Sequence, residues 1–481
     1  MLMGRSGPSP GAFRSQIRQV LTSPGVREWA EAAAATSLDP PLRHRLELLE
    51  ARSTDAAIEQ RPDVAKRRER LSGRVVRFRP RWNGRTVGSA EVQRRASTDP
   101  IREHRRRAWA ARQPLERWLE PRLRDLARRR NEHARQFGFR NFYEWRATRE
   151  GFSLAQIEEL IDSIAPLVRA ASRLRRERFR EVSGEDGWYP WDSSYFGQLE
   201  APLPPPAFAG PTMVPTVLRG VAGWGFRRSA LTFRIDRHDL PSGGIELAVD
   251  PPRDVRVIVH PDAGWVRYMI LFHEVGHAVQ ARSKSRQTPL VRWHDFVSGL
   301  AGMIEGFGTL FEEIPRSTAW LETRPEIDRA RAERFAHVTA LGYLSGFGWL
   351  LAKIRLEIEL YRRPDSDLRS FAHRWERRLG AYDEYPAPPF ADFFLVDEPA
   401  YLQSYLFARL FARQLLAYFE TEWGPTLWPN PKIGPWLVDH WFRETGTYAW
   451  VPHVRETTGR AFGPAAFDAW ARSTLATAPS S

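Results

Sequence analysis

Leu271-Phe272-His273-Glu274-Val275-Gly276-His277-Ala278-Val279 sets two histidines four residues apart, with a glutamate after the first, inside an apolar run of helical spacing. At i and i+4 the imidazoles lie one turn apart on one helix face and can converge on a single metal ion. Glu274, about 100° around the helix, can reach a water beside that ion. This is the donor pattern of a zinc site. The pattern is short, and a chain with twelve histidines would carry it by chance roughly 0.02 times, so a helix with two incidental histidines is the bland alternative. His44, His104, His133, His337, His373 and His440 have no such partner pattern and read as surface or core residues. The chain has no cysteine, which removes disulfides, thiol nucleophiles and thiolate ligands and leaves His, Asp and Glu as metal donors.

The next helical segment, Met303-Ile304-Glu305-Gly306-Phe307-Gly308-Thr309, carries a carboxylate 28 residues after His277. Two imidazoles, one carboxylate and a water make an open catalytic site. An acid on so apolar and glycine-rich a face is costly to bury unpaired, and a metal ion compensates it. Glu312 and Glu313 are alternatives, but they follow Phe311 near a helix end before Pro315, where solvated carboxylates are ordinary. Glu305 is the preferred third ligand.

Outward from the motif, Ile245 to Val249 and Val255 to Val259 flank Asp250-Pro251-Pro252-Arg253 and read as a short hairpin preceded by Gly243-Gly244. Helical pattern dominates elsewhere. Helices are expected near Trp265 to Arg282, Phe296 to Glu313, Pro325 to Tyr361, Ala400 to Phe419 and Gly463 to Thr474. In the N-terminal half an amphipathic pattern runs from Ser97, broken or kinked at Pro114 and Pro121 and capped at Gly138, with a second helix from Leu154 to Phe179. Residues 1 to 40 read as an arm, partly disordered or a frayed helix. A helical lobe then runs to about 185, a proline- and glycine-rich linker without period spans 183–215, and the metal-site lobe fills 216–481.

The 481 residues are 42% hydrophobic and 27% charged, enough for a large core. The net charge of +14 is carried almost wholly by arginine, since Lys66, Lys284, Lys353 and Lys432 are the only lysines. Arginines interleaved with acids, as from Arg122 to Arg135, read as a solvated basic surface and not as a nucleic-acid site. The apolar run Tyr343 to Leu351 stops at Lys353, short of a bilayer span, and the N-terminus lacks a signal-peptide core, so neither membrane insertion nor export is expected and a cytoplasmic protein is.

With these residues in place the chain resembles the helical zinc peptidases that include thimet oligopeptidase, oligoendopeptidase F and angiotensin-converting enzyme. Arg130-Asn131-Glu132, Ala134, Gly138 to Tyr143, and Pro190-Trp191-Asp192 resemble that family's N-terminal half, so the likeness spans roughly residues 70 to 475. It implies a mainly α, two-lobed ellipsoid with a deep substrate channel and a small sheet beside the metal helix, 41–481 forming the catalytic unit. It implies one zinc ion on His273, His277 and Glu305, with Glu274 activating a water. Gly244, Ile245, Glu246 and Leu247 would form an edge strand to which extended peptide adds, the alternative being an ordinary hairpin. Pro399-Ala400-Tyr401-Leu402-Gln403-Ser404-Tyr405 resembles the helix whose tyrosine holds the oxyanion, with Tyr405 the better match and Tyr401 the second. Two departures stand out. No histidine lies between Phe390 and Tyr401, and Thr309 stands where several relatives have an aspartate that orients a histidine.

The expected activity is zinc-dependent hydrolysis of peptide bonds in short unfolded peptides. A catalytically silent peptide-binding relative or a helical scaffold with a metal site is the alternative, and nucleic-acid binding through the arginine-rich helices is a third. The sequence leaves open whether cleavage is internal or terminal, side-chain preference and oligomeric state.

Overall fold

The computed structural model describes residues 19–477 apart from 24, 201, 239–242, 286–298, 381 and 384–392. Helices dominate, as expected. The motif lies on helix Trp265–Ser283, which buries Leu271, Phe272, Val275, Ala278 and Val279. Beside it runs Ala301–Phe311, buried along its whole length, and across that helix packs Leu402–Trp423. The main apolar cluster is continuous, from Leu48 through Ile161, Phe272, Phe307 and Phe411 to Ala471.

Most expected helices form with shifted ends. Of the helix expected from Phe296, residues 296–298 lie outside the described residues, and the helix begins at Ala301. The long helix is Arg329–Arg362, where the Asp328 side chain accepts from the Arg331 N–H at 2.8 Å and so starts the helix after Pro325. The tyrosine helix starts at Leu402 and not at Ala400, because Ala400 has φ +59, outside helical space. Leu154–Ser183 opens on a reciprocal capping box of Ser153 and Gln156 and closes at Gly184 in the left-handed region. Pro114 opens helix Gln113–Arg135 and does not break it, and that helix continues through Pro121. The segment from Ser97 divides into Ser89–Thr98, Arg102–Ala110 and Gln113–Arg135.

Helix forms in both the N-terminal arm, read as partly disordered or a frayed helix, and the linker, read as without period. Within the arm, residues 1–18 lie outside the described residues, but Val26–Thr36 is helical and packs on Pro40–Glu59. Inside the linker, Pro190–Leu199 is helical and its Asp192 is fully buried between Arg105 at 3.0 Å and Arg102 at 2.7 Å. Pro190–Leu199 has no local hydrophobic period, so pattern reading passes over it.

The hairpin forms as Gly244–Asp250 and Asp254–Val259, antiparallel with Gly244 opposite Val259 and Glu246 opposite Val257. A third strand, Arg234–Arg237, joins parallel to Asp254–Val259 on its other side, which leaves Gly244–Asp250 at an edge among the described residues. That strand is missing from the sequence reading because Arg-Ile-Asp-Arg has one apolar residue and a partner distant in the chain.

The arginine-rich stretch is not simply solvated. Arg124 pairs with Glu120 at 2.8 Å, and Arg130 is fully buried on Glu59 at 2.7 Å. Lys353, read as the end of an apolar run, is likewise buried inside Arg329–Arg362. Among the described residues that helix alone is long and apolar enough to cross a bilayer, and it packs against Leu154–Ser183 and Leu368–Leu379.

Glu376 on Leu368–Leu379 is also buried, and its Oε2 makes no hydrogen bond. Burial pushes its carboxyl up to about 8 from 4.5. An unfolded chain therefore loses this proton first as pH rises, so the group's contribution to stability is full below about pH 4.5 and declines until about pH 8. The total decline is on the order of 5 kcal/mol. In urea unfolding at pH 5 and pH 8, Glu376→Gln should lose that part of the slope. An unchanged slope would remove Glu376 as its source.

Candidate active site

His273 and His277 sit one turn apart on Trp265–Ser283 with their Nε2 atoms 3.0 Å from each other. Glu305 comes in from Ala301–Phe311, its Oε2 3.2 Å from His273 Nε2 and 3.9 Å from His277 Nε2. These spacings approach the edge of a tetrahedron with bonds of about 2.0–2.1 Å, which is roughly 3.3 Å. His277 and Glu305 are buried. Two imidazole nitrogens and a carboxylate facing one another in an apolar interior are a donor set a divalent cation satisfies. Among the described residues no other cluster of three or more such groups is suited to a metal.

Charge among these groups is unequal. Burial opposes protonation of His273, yet its bonds to Glu305 and Glu312 hold its pKa well above the usual histidine range. His277 is pushed down to about 3 by burial and by the charge on His273, so the two rings do not both carry a proton. Burial pushes Glu274 up to about 7, against the pull of His273 and of the Glu246 backbone N–H. Glu274 is outside the ligand cluster and lies beside the edge strand.

Glycine makes this closeness possible. A Cβ on Gly308 would lie 2.6 Å from His273 Cε1 and Nε2, and one on Gly306 would lie 2.4 Å from a Phe411 ring carbon. Gly308→Ala should therefore drive the His273 ring off its position and weaken zinc binding more than tenfold. Helix content should be retained, since alanine favours helix over glycine by about 1 kcal/mol. Zinc titration with circular dichroism checks both. Unchanged affinity would mean that the ring has room.

The departure at Thr309 is compensated from a residue read as solvated. Glu312 is no surface carboxylate: its side chain is 15% exposed, and its Oε1 lies 2.9 Å from His273 Nδ1. Arg316 donates to Glu312 at 2.9 Å and to Glu313 at 3.0 Å, and Arg413 reaches Glu313 at 2.6 Å. A carboxylate on the second nitrogen fixes the tautomer and tilt of a ligand imidazole. The available signal was spacing: 312 follows 305 by two helical turns and returns to the same face.

Tyr401 is buried, and its hydroxyl donates to Glu305 Oε1 at 2.6 Å. Tyr405, half-buried one turn on, packs edge-on against Tyr401 with ring centroids 5.6 Å apart. Tyr401 thus contacts the His273–His277–Glu305 cluster, and Tyr405 packs against Tyr401. Gly244, Ile245, Glu246 and Leu247 lie on the edge strand. There a Cβ on Gly244 would sit 2.7 Å from Glu274 Cγ, so strand and carboxylate are in contact. Ile245 and Val249 are exposed at 44% and 46%, pointing apolar side chains away from the helix.

No protein-family model and no curated protein sequence matches the chain. Solved structures do. An oligoendopeptidase F superimposes with a TM-score of 0.69 at 16% identity over 97% of this chain and 84% of that one. A carboxypeptidase from Pyrococcus furiosus gives 0.68 at 15% over 97% and 90%, and an M32 carboxypeptidase from Deinococcus radiodurans R1 gives 0.64 at 16% over 97% and 90%. The chain has the mainly α fold of the helical metallopeptidases that these structures represent.

Proposed function

We propose that the chain is a zinc-dependent peptidase acting on short unfolded peptides. The observation that carries this reading is the convergence of His273, His277 and Glu305 beside Glu274 and the strand Gly244–Asp250. His273, His277 and Glu305 would hold the ion, with Glu312 fixing the His273 ring. Zinc bound there supplies Lewis acidity toward a carbonyl and a water. Glu274 takes the proton of the attacking water and passes it to the leaving amine. An extended peptide pairs with the strand edge through backbone groups, with Ile245 and Val249 offering apolar contact. Tyr401 donates to Glu305, and half-buried Tyr405, one turn on, would donate its hydroxyl to the developing oxyanion. Glu312 supplies the orienting carboxylate whose absence at 309 favoured a silent relative.

The test is mass spectrometry of a mixed library of unstructured peptides incubated with the protein, with a chelator, and with zinc restored. Cleavage that stops on chelation and returns with zinc is expected, and the fragments show whether cutting is internal or terminal. Peptide binding without cleavage by zinc-loaded protein would replace this reading with the silent relative.

A further inference from the structure

Tyr401 reaches Glu305 because of the way the chain arrives at it. Ala400, directly before it, has φ +59, a left-handed conformation that a residue with a Cβ keeps only where its surroundings impose it. The turn is held by a residue distant in the chain: the Ala400 N–H donates to Glu357 Oε1 at 2.6 Å. Glu357 lies on Arg329–Arg362 and is fully buried, and its other oxygen makes no hydrogen bond. Four residues upstream, the Val396 carbonyl accepts from Arg130 at 3.0 Å, the same guanidinium that bonds Glu59 and the Tyr361 hydroxyl. Leu395, Val396 and Ala400 are buried, so water cannot replace these bonds. Burying an acid costs free energy that the charges of Arg130, Arg146 and Lys353 offset only in part, and the hydrogen bond Glu357 accepts is that of the Ala400 N–H.

We infer that Glu357 is a positioning residue that holds the left-handed turn at Ala400 and thereby aims the Tyr401 hydroxyl at Glu305. The inference rests on the metal site proposed above, and its readout requires no peptide to be cut. Zinc affinity of the full chain is measured by chelator competition, with thermal unfolding alongside. Tyr401→Phe should weaken zinc about tenfold. Glu357→Met, which keeps bulk and removes the acceptor, should weaken it to a similar degree. Adding Tyr401→Phe to Glu357→Met should cost less than a further twofold, because both remove one contact. Glu357→Gln, which retains an acceptor, should stay within about twofold of wild type. Losses that multiply in the double variant, or wild-type affinity in Glu357→Met, would overturn the inference.

If Glu357→Met does not fold, Ala400→Gly is added, since glycine takes left-handed backbone without being held. Glu357→Met/Ala400→Gly should then fold and bind zinc within about threefold of wild type. A tenfold loss, or failure to fold, would place the role of Glu357 elsewhere than at the turn. Failure of this cycle with peptide cleavage intact sinks the positioning role alone. An intact cycle without cleavage sinks the peptidase reading alone.

Discussion

Glu274→Gln is expected to keep its zinc and lose peptide cleavage by a factor of about 10³, within the usual range for removing a general base. Glutamine has the size of glutamate and can still accept the Glu246 N–H, so strand and helix should keep their contact. It cannot accept a proton. Because Glu274 lies outside the ligand cluster, metal content should be unchanged, and because peptide would pair with strand backbone, KM should change little. The loss therefore belongs to kcat, read from steady-state kinetics on a fluorogenic peptide with zinc measured by elemental analysis. Wild-type turnover in a fully metallated variant would end the proposed role.

Glu312→Ala is expected to weaken zinc binding 10- to 100-fold, the usual effect of removing a ligand's outer hydrogen-bond partner. It should also destabilise the protein by roughly 3–5 kcal/mol, because Arg316, with its side chain only 10% exposed, loses one of two carboxylates. A paired substitution separates the effects. Glu312→Met/Arg316→Met removes acid and base together and should recover most of the stability while leaving zinc affinity low. Chelator competition and urea unfolding read the two quantities. Recovery of zinc affinity in the paired variant would show that Glu312 acts through Arg316 and not through His273 Nδ1.

Residue order brings together the parts of the site whose geometry is local. His273 and His277 must share a face because four residues make one turn, and Glu305 stood out because a lone acid on an apolar, glycine-rich helix needs a reason. The hairpin was legible because its two strands are joined by four residues and alternate. Ser153-x-x-Gln156 likewise marks a helix start through bonds made within one turn. Each of these depends on atoms a few bonds apart, which the order of residues places together whatever the rest of the molecule does.

Glu312 beside His273, the left-handed Ala400 held by Glu357, and strand Arg234–Arg237 were decided by contacts between elements far apart in the chain. So was the burial of Arg130, Lys353 and Glu376, charged residues whose types by themselves indicate solvent. The sequence by itself determined a helical protein with a two-histidine, one-glutamate donor set and an adjacent hairpin. Only the tertiary structure decided which carboxylate lies beside His273 Nδ1 and which tyrosine hydroxyl lies 2.6 Å from Glu305. The physical reason is that a helix fixes spacing within a turn, whereas the partner of a side chain depends on which distant surface its helix is packed against.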